Sequence, residues 1–502
     1  MALARAPLIP RRPVRHLIIA YIPANAVPAL VSFAAIYAYT RLLGVGEYGD
    51  YSLAFSSVMV GLATFFYPLS MGASRLYPRA EQEGTLPAFL GALYACFLGT
   101  SAGILLVALP AVLVAASLLR GGVRLALGLA VCLLLLRGAV TLAQAIHRMR
   151  GDATRYNGIE CTQALLGLGA GIGLVAWAGP SASAIMGGLI VGSATCCAAD
   201  LPLLLRWLRP GARPAWRPER RRLVVQLLRF GWPQSITNFT SFLLQYADRF
   251  IIGIVGGTGM LGIYTAAFSL VERPMTLLCN AVATATFPLA VSTLETQGVG
   301  AGRQQVGRNG AALLALAVPA CAGLALSARH ISAVLVGADY RAGTAALMPI
   351  MAVTALARGV SGHFVEHAFH LARRPDVMLS IYAPIALANV AIDVVAVPSF
   401  GVFGAAWAAL VAQLAVLVTN WFVGRRLFPL TLPVRGTVSV LTATAAMAAV
   451  LLGTDFPETW AGLGLMVGAS GLAYGAVFLA FQPRQMTRLA RLLPAVGRVR
   501  AR

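Results

Sequence analysis

Fourteen apolar runs, most of them about 20 residues long or more and separated by short polar loops, leave this chain few ways to fold. A bilayer core is about 30 Å thick, and a helix rising 1.5 Å per residue crosses it in about 20 residues. The runs fall at about 17–40, 51–73, 86–115, 125–146, 157–178 and 181–205, then at 223–255, 262–293, 309–328, 344–371, 377–397, 402–424, 436–453 and 461–481. Within lipid every backbone N–H and C=O needs an internal partner, so segments of this length read as α-helices. Hydrophobic residues make up 59% of the chain and charged residues 11%, with mean hydropathy +0.78, a balance that no water-facing surface carries. The expected fold is an all-α integral membrane protein of about fourteen transmembrane helices.

The chain also repeats itself. Gly49, Tyr51, Ala54, Phe55 and Ser56 spell G-x-Y-x-x-A-F-S, and the same pattern returns at Gly262, Tyr264, Ala267, Phe268 and Ser269, 213 residues on. Pro180-Ser181 has an echo in Pro398-Ser399. A duplicated unit of six spans follows, and because six is even both copies start on the same side. The two copies are therefore expected to obey a parallel pseudo-two-fold relation. This divides the chain into an N-terminal lobe at 1–205, a basic cytoplasmic linker at 206–222, a C-terminal lobe at 223–424, an extra helix pair at 425–481 and a basic cytoplasmic tail at 482–502.

The formal charge of +22 comes from Arg alone, since the chain has no Lys. Its placement argues against a nucleic-acid partner. Most arginines fall in alternate loops, together with both ends, the linker and the tail, whereas the opposite loops hold few beyond Arg41, Arg120, Arg124, Arg329 and Arg341. Basic residues concentrate on the cytoplasmic side of membrane proteins, so both termini are expected there, and the basic N-terminal run is read as a first span and not a removed signal. The linker, with seven arginines, reads as an orientation signal against anionic headgroups. A short interfacial helix is expected in the tail. The seven cysteines lie in apolar runs without a C-x-x-C pair and read as packing residues. No loop has room for a soluble catalytic domain, and the G-x-x-x-x-G-K-[ST] phosphate loop is missing, so neither an enzyme nor an ATP-driven pump is expected.

Charged residues inside spans carry the functional signal, because each costs about 2.5–3.5 kcal/mol at the bilayer centre on insertion scales. Candidates are Arg137, Asp248, Arg249, Glu272, Arg273, Arg358, Glu366 and Asp393. Arg273 stands eleven residues into its apolar run, about 16 Å deep. Its bland role is an ion pair with a neighbouring helix; its functional role is an anion site, since a planar guanidinium suits a phosphate or pyrophosphate. His363, Glu366 and His367 match the H-x-x-E-H spacing of some zinc enzymes, but they sit at the end of a membrane span with no domain around them. Zinc is disfavoured there, and a helix terminus or a proton-titrating group is the better reading.

Several motifs resemble one family. Ala247-Asp248-Arg249-Phe250-Ile251-Ile252-Gly253 with Gly262-x-Tyr264, Arg41-Leu42-Leu43-Gly44 with Glu47-Tyr48-Gly49, and Pro398-Ser399-Phe400-Gly401-Val402-Phe403-Gly404 are similar to the polysaccharide-export flippases of the multidrug/oligosaccharidyl-lipid/polysaccharide exporter superfamily. The resemblance runs over about 17–481. It implies a flippase of the bacterial inner membrane that moves undecaprenyl-pyrophosphate-linked oligosaccharide repeat units for O-antigen or exopolysaccharide synthesis by alternating access. Membrane lipids, a polysaccharide polymerase and chain-length machinery are the partners it implies, with no cofactor beyond a coupling ion. On this view Arg41, Arg75 and Arg273 bind substrate. In lipid II flippases, which the same helices resemble, an Asp and an Asn-x-x-x-Asp hold sodium; here these are Asp248, Asn389 and Asp393. The start of span 12, residues 405–412, lacks the Thr of that family's site. The alternatives for the ion site are structural pairing of these groups or a proton carried by Asp393 or Glu366. Competing functions are a lipid II flippase, a cation-coupled drug antiporter, which usually has twelve spans, and a membrane-embedded glycosyltransferase or polymerase, which normally carries a large loop that this chain lacks.

Overall fold

The computed structural model describes residues 22–115, 121–208, 217–374, 376–431 and 434–481. The N-terminal basic segment, most of the linker and the tail, with its expected interfacial helix, lie outside the described residues. Among the described residues there are helices and no strands. In chain order they are α1 (Ile22–Leu42), α2 (Val45–Gln82), α3 (Leu86–Ala115), α4 (Gly121–Met149), α5 (Ala153–Ala178), α6 (Ala182–Leu208), α7 (Arg217–Ile251), α8 (Thr258–Leu326), the short α9 (Ala328–Leu335), α10 (Ala338–Leu371), α11 (Asp376–Leu427), α12 (Val434–Gly453) and α13 (Trp460–Ala480). Ten of these described helices are long and apolar enough to cross a membrane. Two of the ten are double, because Gly298 breaks α8 with φ 83° and Gly401 breaks α11 with φ 60°. With α1 and α7 they account for the fourteen expected spans.

The duplication is written into the backbone. Residues in the left-handed region interrupt the chain at Gly84 and Gly298, at Gly151 and Arg373, and at Gly179 and Gly401, pairs that are 214, 222 and 222 residues apart. The same three turns, between spans 2 and 3, 4 and 5, and 5 and 6 of each copy, thus use the same local conformation. Five of these six residues are glycine, which adopts positive φ without a Cβ penalty; Arg373 is the exception.

Among the described residues there are three π turns. In α2 one spans Leu62–Phe66, closed by Tyr67 N–H on Leu62 O, just before Pro68. Proline has no N–H to continue the ladder, and the wider turn accommodates the lost bond. The others are Ile252–Gly256, directly after α7, and Ser361–Val365 within α10.

The chain divides into two compact units, Met1–Gly262 and Ile263–Arg502. In the first, Phe66, Leu69, Tyr77, Phe89, Leu133 and Met186 form the buried core. Lipid tails are as apolar as these side chains, so close packing and hydrogen bonds, rather than escape from water, hold the helices together. The seam between α5 and α6 shows how. Gly167 and Gly171 face Gly188 and Gly192, and a Cβ on Gly188 would stand 2.2 Å from Gly171 N. Gln163 bonds Ser193 at 2.9 Å beside them. The repeated motif glycine makes a similar approach within this unit: a Cβ on Gly49 would lie 1.8 Å from Thr258 O, and one on Gly262 2.1 Å from Val45 O. In the second unit, Phe364 of the α10 π turn fills the space beside Gly310, and Cys279 packs on Gly359.

Candidate functional site

Within the first unit, Arg41 closes α1. Its guanidinium bonds Tyr37 O at 3.1 Å and lies 3.7 Å over the Tyr37 ring, where a cation also complements the helix C-terminus. Arg75 is thirty residues into α2, about 45 Å along it. The two exposed cations therefore stand toward opposite ends of a membrane-crossing helix and do not form one cluster. Asp248 and Arg249 are both buried near the end of α7; Arg249 N donates to Asp248 Oδ1 at 2.8 Å, and the guanidinium lies 4.4 Å from the Tyr246 ring centre. Arg137 lies 5.3 Å over Phe55, a residue of the repeated motif. At the far end of α4 and α6, His147 meets Asp200 at 2.9 Å, a buried pair that sequence reading did not single out.

Among the described residues of the second unit, three polar constellations include residues singled out in the sequence. In the first, Arg358 Nη1 of α10 meets Glu272 Oε2 of α8 at 2.9 Å. Thr276 bonds Glu272 Oε1 at 3.1 Å, and Arg358 lies 5.7 Å over Phe268. The ion pair that sequence reading offered to Arg273 thus belongs to its neighbour. Successive residues of a helix point about 100° apart, so Glu272 turns inward while Arg273 is exposed. Arg273 takes no ion pair, hydrogen bond or ring contact among the described residues. Because α8 begins at Thr258, four residues before the motif glycine, Arg273 stands about 22 Å from the start of its helix, deeper than the 16 Å expected.

In the second constellation Asn389 Nδ2 bonds Asp393 Oδ2 at 3.0 Å across one turn of α11, and both residues are fully buried. Asn389 Oδ1 is buried with no hydrogen-bond partner. Asp248 belongs to the first compact unit and these two to the second.

The third constellation surrounds the α10 π turn. Tyr382 and Ser361 both donate to Glu366 Oε1, Ser361 at 3.4 Å, and Asn420 Nδ2 donates to Ser361 Oγ at 2.9 Å. His367 lies against Phe287 with the rings tilted and their centres 4.5 Å apart. The H-x-x-E-H residues therefore turn to different neighbours, and among the described residues no three His, Cys, Asp or Glu side chains gather as a metal would need. Sequence reading does not single out Ser361, Tyr382 or Asn420; the last is an amide four residues before the end of its apolar run.

Comparisons with known proteins agree with this architecture. A family model described as "Polysaccharide biosynthesis protein" matches residues 38–345, more than half of the chain. The "Probable flippase AglR" of Haloferax volcanii is 26% identical over 274 residues, 53% of this chain and 56% of that protein. The match thus spans little more than half the length of that relative. Among solved structures, a lipid II flippase, MurJ, in an inward closed conformation superposes with TM-score 0.73 at 12% identity, covering 93% of this chain and all of that one. An inward-facing multidrug resistance MATE transporter of the MOP superfamily gives TM-score 0.66 at 16% identity, covering 81% and 98%. These two share its all-helical membrane fold. The chain belongs to the polysaccharide biosynthesis protein family.

Proposed function

We propose that this chain is a flippase that carries undecaprenyl-pyrophosphate-linked oligosaccharide repeat units from the cytoplasmic to the periplasmic leaflet of a bacterial inner membrane, by alternating access, with both termini cytoplasmic. The observation that carries the reading is Arg273, a guanidinium within a membrane-crossing helix that no protein group neutralises among the described residues. Such a charge is costly in lipid, and a pyrophosphate is the kind of ligand that would satisfy its fork. Arg41 and Arg75, toward opposite ends of α2, suit successive contacts with the same headgroup as it crosses. Membrane lipids are its surroundings, and a polymerase with its chain-length machinery takes the product.

Replacing Arg273 with Ala is expected to lower flipping at least tenfold, about 1.4 kcal/mol, with normal protein level in the membrane. Arg273→Lys keeps the charge and loses the fork, so it is expected to recover part of the rate. Wild-type rates in Arg273→Ala, measured in liposomes loaded with a lipid-linked oligosaccharide, would remove this residue from the substrate path.

The chain lacks a phosphate loop, so we assign the driving force to a cation gradient and give Asp248, Asn389 and Asp393 to the coupling ion. The unpartnered Asn389 Oδ1 beside the Asp393 carboxylate supports this, since amide and carboxylate oxygens are the donors a hard cation takes. An imposed Na⁺ gradient is expected to accelerate flipping in the wild type and not in Asp393→Asn. Equal acceleration in both would end this assignment.

A further inference from the structure

We propose that Glu366 is a proton-binding site, and that a proton taken up there reverses the direction of a hydrogen-bond chain running through Ser361 to Asn420. The inference stands apart from the substrate reading and from the Asn389–Asp393 pair.

Glu366 is 8% exposed and belongs to a membrane-crossing helix, α10. Among the described residues no cation pairs with it: Arg358, on the same helix, is taken by Glu272. Other titratable groups around this turn are His363, His367 and His370 on α10, and Tyr382 from the first half of α11. A buried carboxyl without a counter-ion is stable only when hydrogen bonds hold it or when it takes up a proton. The geometry allows both.

As drawn, the chain points at a carboxylate. Tyr382 O–H and Ser361 O–H both donate to Oε1, and Asn420 Nδ2 feeds Ser361 Oγ. Both bonds fall on Oε1. One acceptor is left over: Asn420 is 0% exposed, and its Oδ1 has no partner. A network with a spare buried acceptor has room for one more hydrogen.

A proton arriving on Glu366 reverses the chain. The new O–H donates to Ser361 Oγ, the Ser361 O–H swings to Asn420, and the amide turns over so that Oδ1 receives it. One proton is gained, no bond between heavy atoms changes, and the orphaned oxygen is satisfied. The switch sits on the Ser361–Val365 π turn, a departure from regular helix of the kind that often accompanies function. It joins that turn to both halves of α11, at Tyr382 and at Asn420, on either side of the Gly401 break. Proton uptake thus changes how three membrane segments are tied together.

Infrared difference spectra of the full chain in lipid, acid minus alkaline, test this. The wild type is expected to show a protonated-carboxyl C=O band that Glu366→Gln loses. Asn420→Leu keeps the acid and removes the end of the chain, so there the band is expected to persist at a shifted frequency. The proposal is overturned if Glu366→Gln retains every C=O band of the wild type, or if the Glu366 band is unmoved in both Asn420→Leu and Ser361→Ala. It is also overturned if Na⁺ at fixed acid pH removes the band, which would make the site one for a metal cation.

Discussion

Replacing Arg358 with Ala is expected to cost about 3–5 kcal/mol, because it strands the Glu272 carboxylate between helices. The two side chains are 25% and 14% exposed, so the loss should fall toward the lower end of that range. Glu272→Ala has the mirror effect on the guanidinium, which bonds Gln413 at a long 3.5 Å. Taking both charges away together, as Glu272→Gln with Arg358→Gln, removes the attraction and the desolvation cost alike, and most of the stability is expected to return. The measurement is the temperature at which the purified protein loses its monodisperse peak in detergent. If both single variants melt with the wild type, the pair faces water and holds nothing together.

Gly188→Val is expected to be as damaging for a different reason. Its Cβ would enter the backbone of α5, 2.2 Å from Gly171 N and 2.4 Å from Gly171 Cα, and backbone cannot swing aside as a side chain can. Overpacking costs about 1–3 kcal/mol where neighbours can shift, and this contact requires the two helices to part. Gly173→Val on α5 is the control, since nothing lies within 4 Å of the Cβ it adds. Gly188→Val is expected to abolish folded protein and Gly173→Val to leave it. Equal yields of the two would mean that α5 and α6 do not meet through these glycines.

Much of the fold could be read before any coordinates, because membrane spans announce themselves by length and apolarity alone. The two spans that merge into α8 and the two that merge into α11 are distinct in the sequence, parted by a polar segment before span 9 and by Pro-Ser-Phe-Gly before span 12. The repeat was legible from the motif at Gly49 and Gly262, and the left-handed turns at Gly151 and Arg373 extend it to a place where the residues themselves differ. Pairings between helices were not legible. Glu272 and Arg358 are 86 positions apart, and nothing in either run names the other as partner. Gly167, Gly171, Gly188 and Gly192 went unread in the sequence, because which helix faces meet is decided only by three-dimensional packing. Helix phase also decided the fate of Arg273: a one-residue difference turns Glu272 toward Arg358 and leaves Arg273 exposed. Ser361, Tyr382 and Asn420 are separate single polar residues in sequence, and only the fold joins them to Glu366.

Movement of a lipid-linked saccharide across a bilayer by this chain is open to direct measurement. The full chain is reconstituted into liposomes that carry an undecaprenyl-pyrophosphate-linked oligosaccharide in both leaflets, and the glycan within reach of an added membrane-impermeant glycosidase is followed over time. With the protein present, digestion is expected to pass the half set by the outer leaflet and approach completion, and Arg273→Ala liposomes are expected to stay near half. Digestion that halts at half with the wild-type chain, as in protein-free liposomes, would contradict the account.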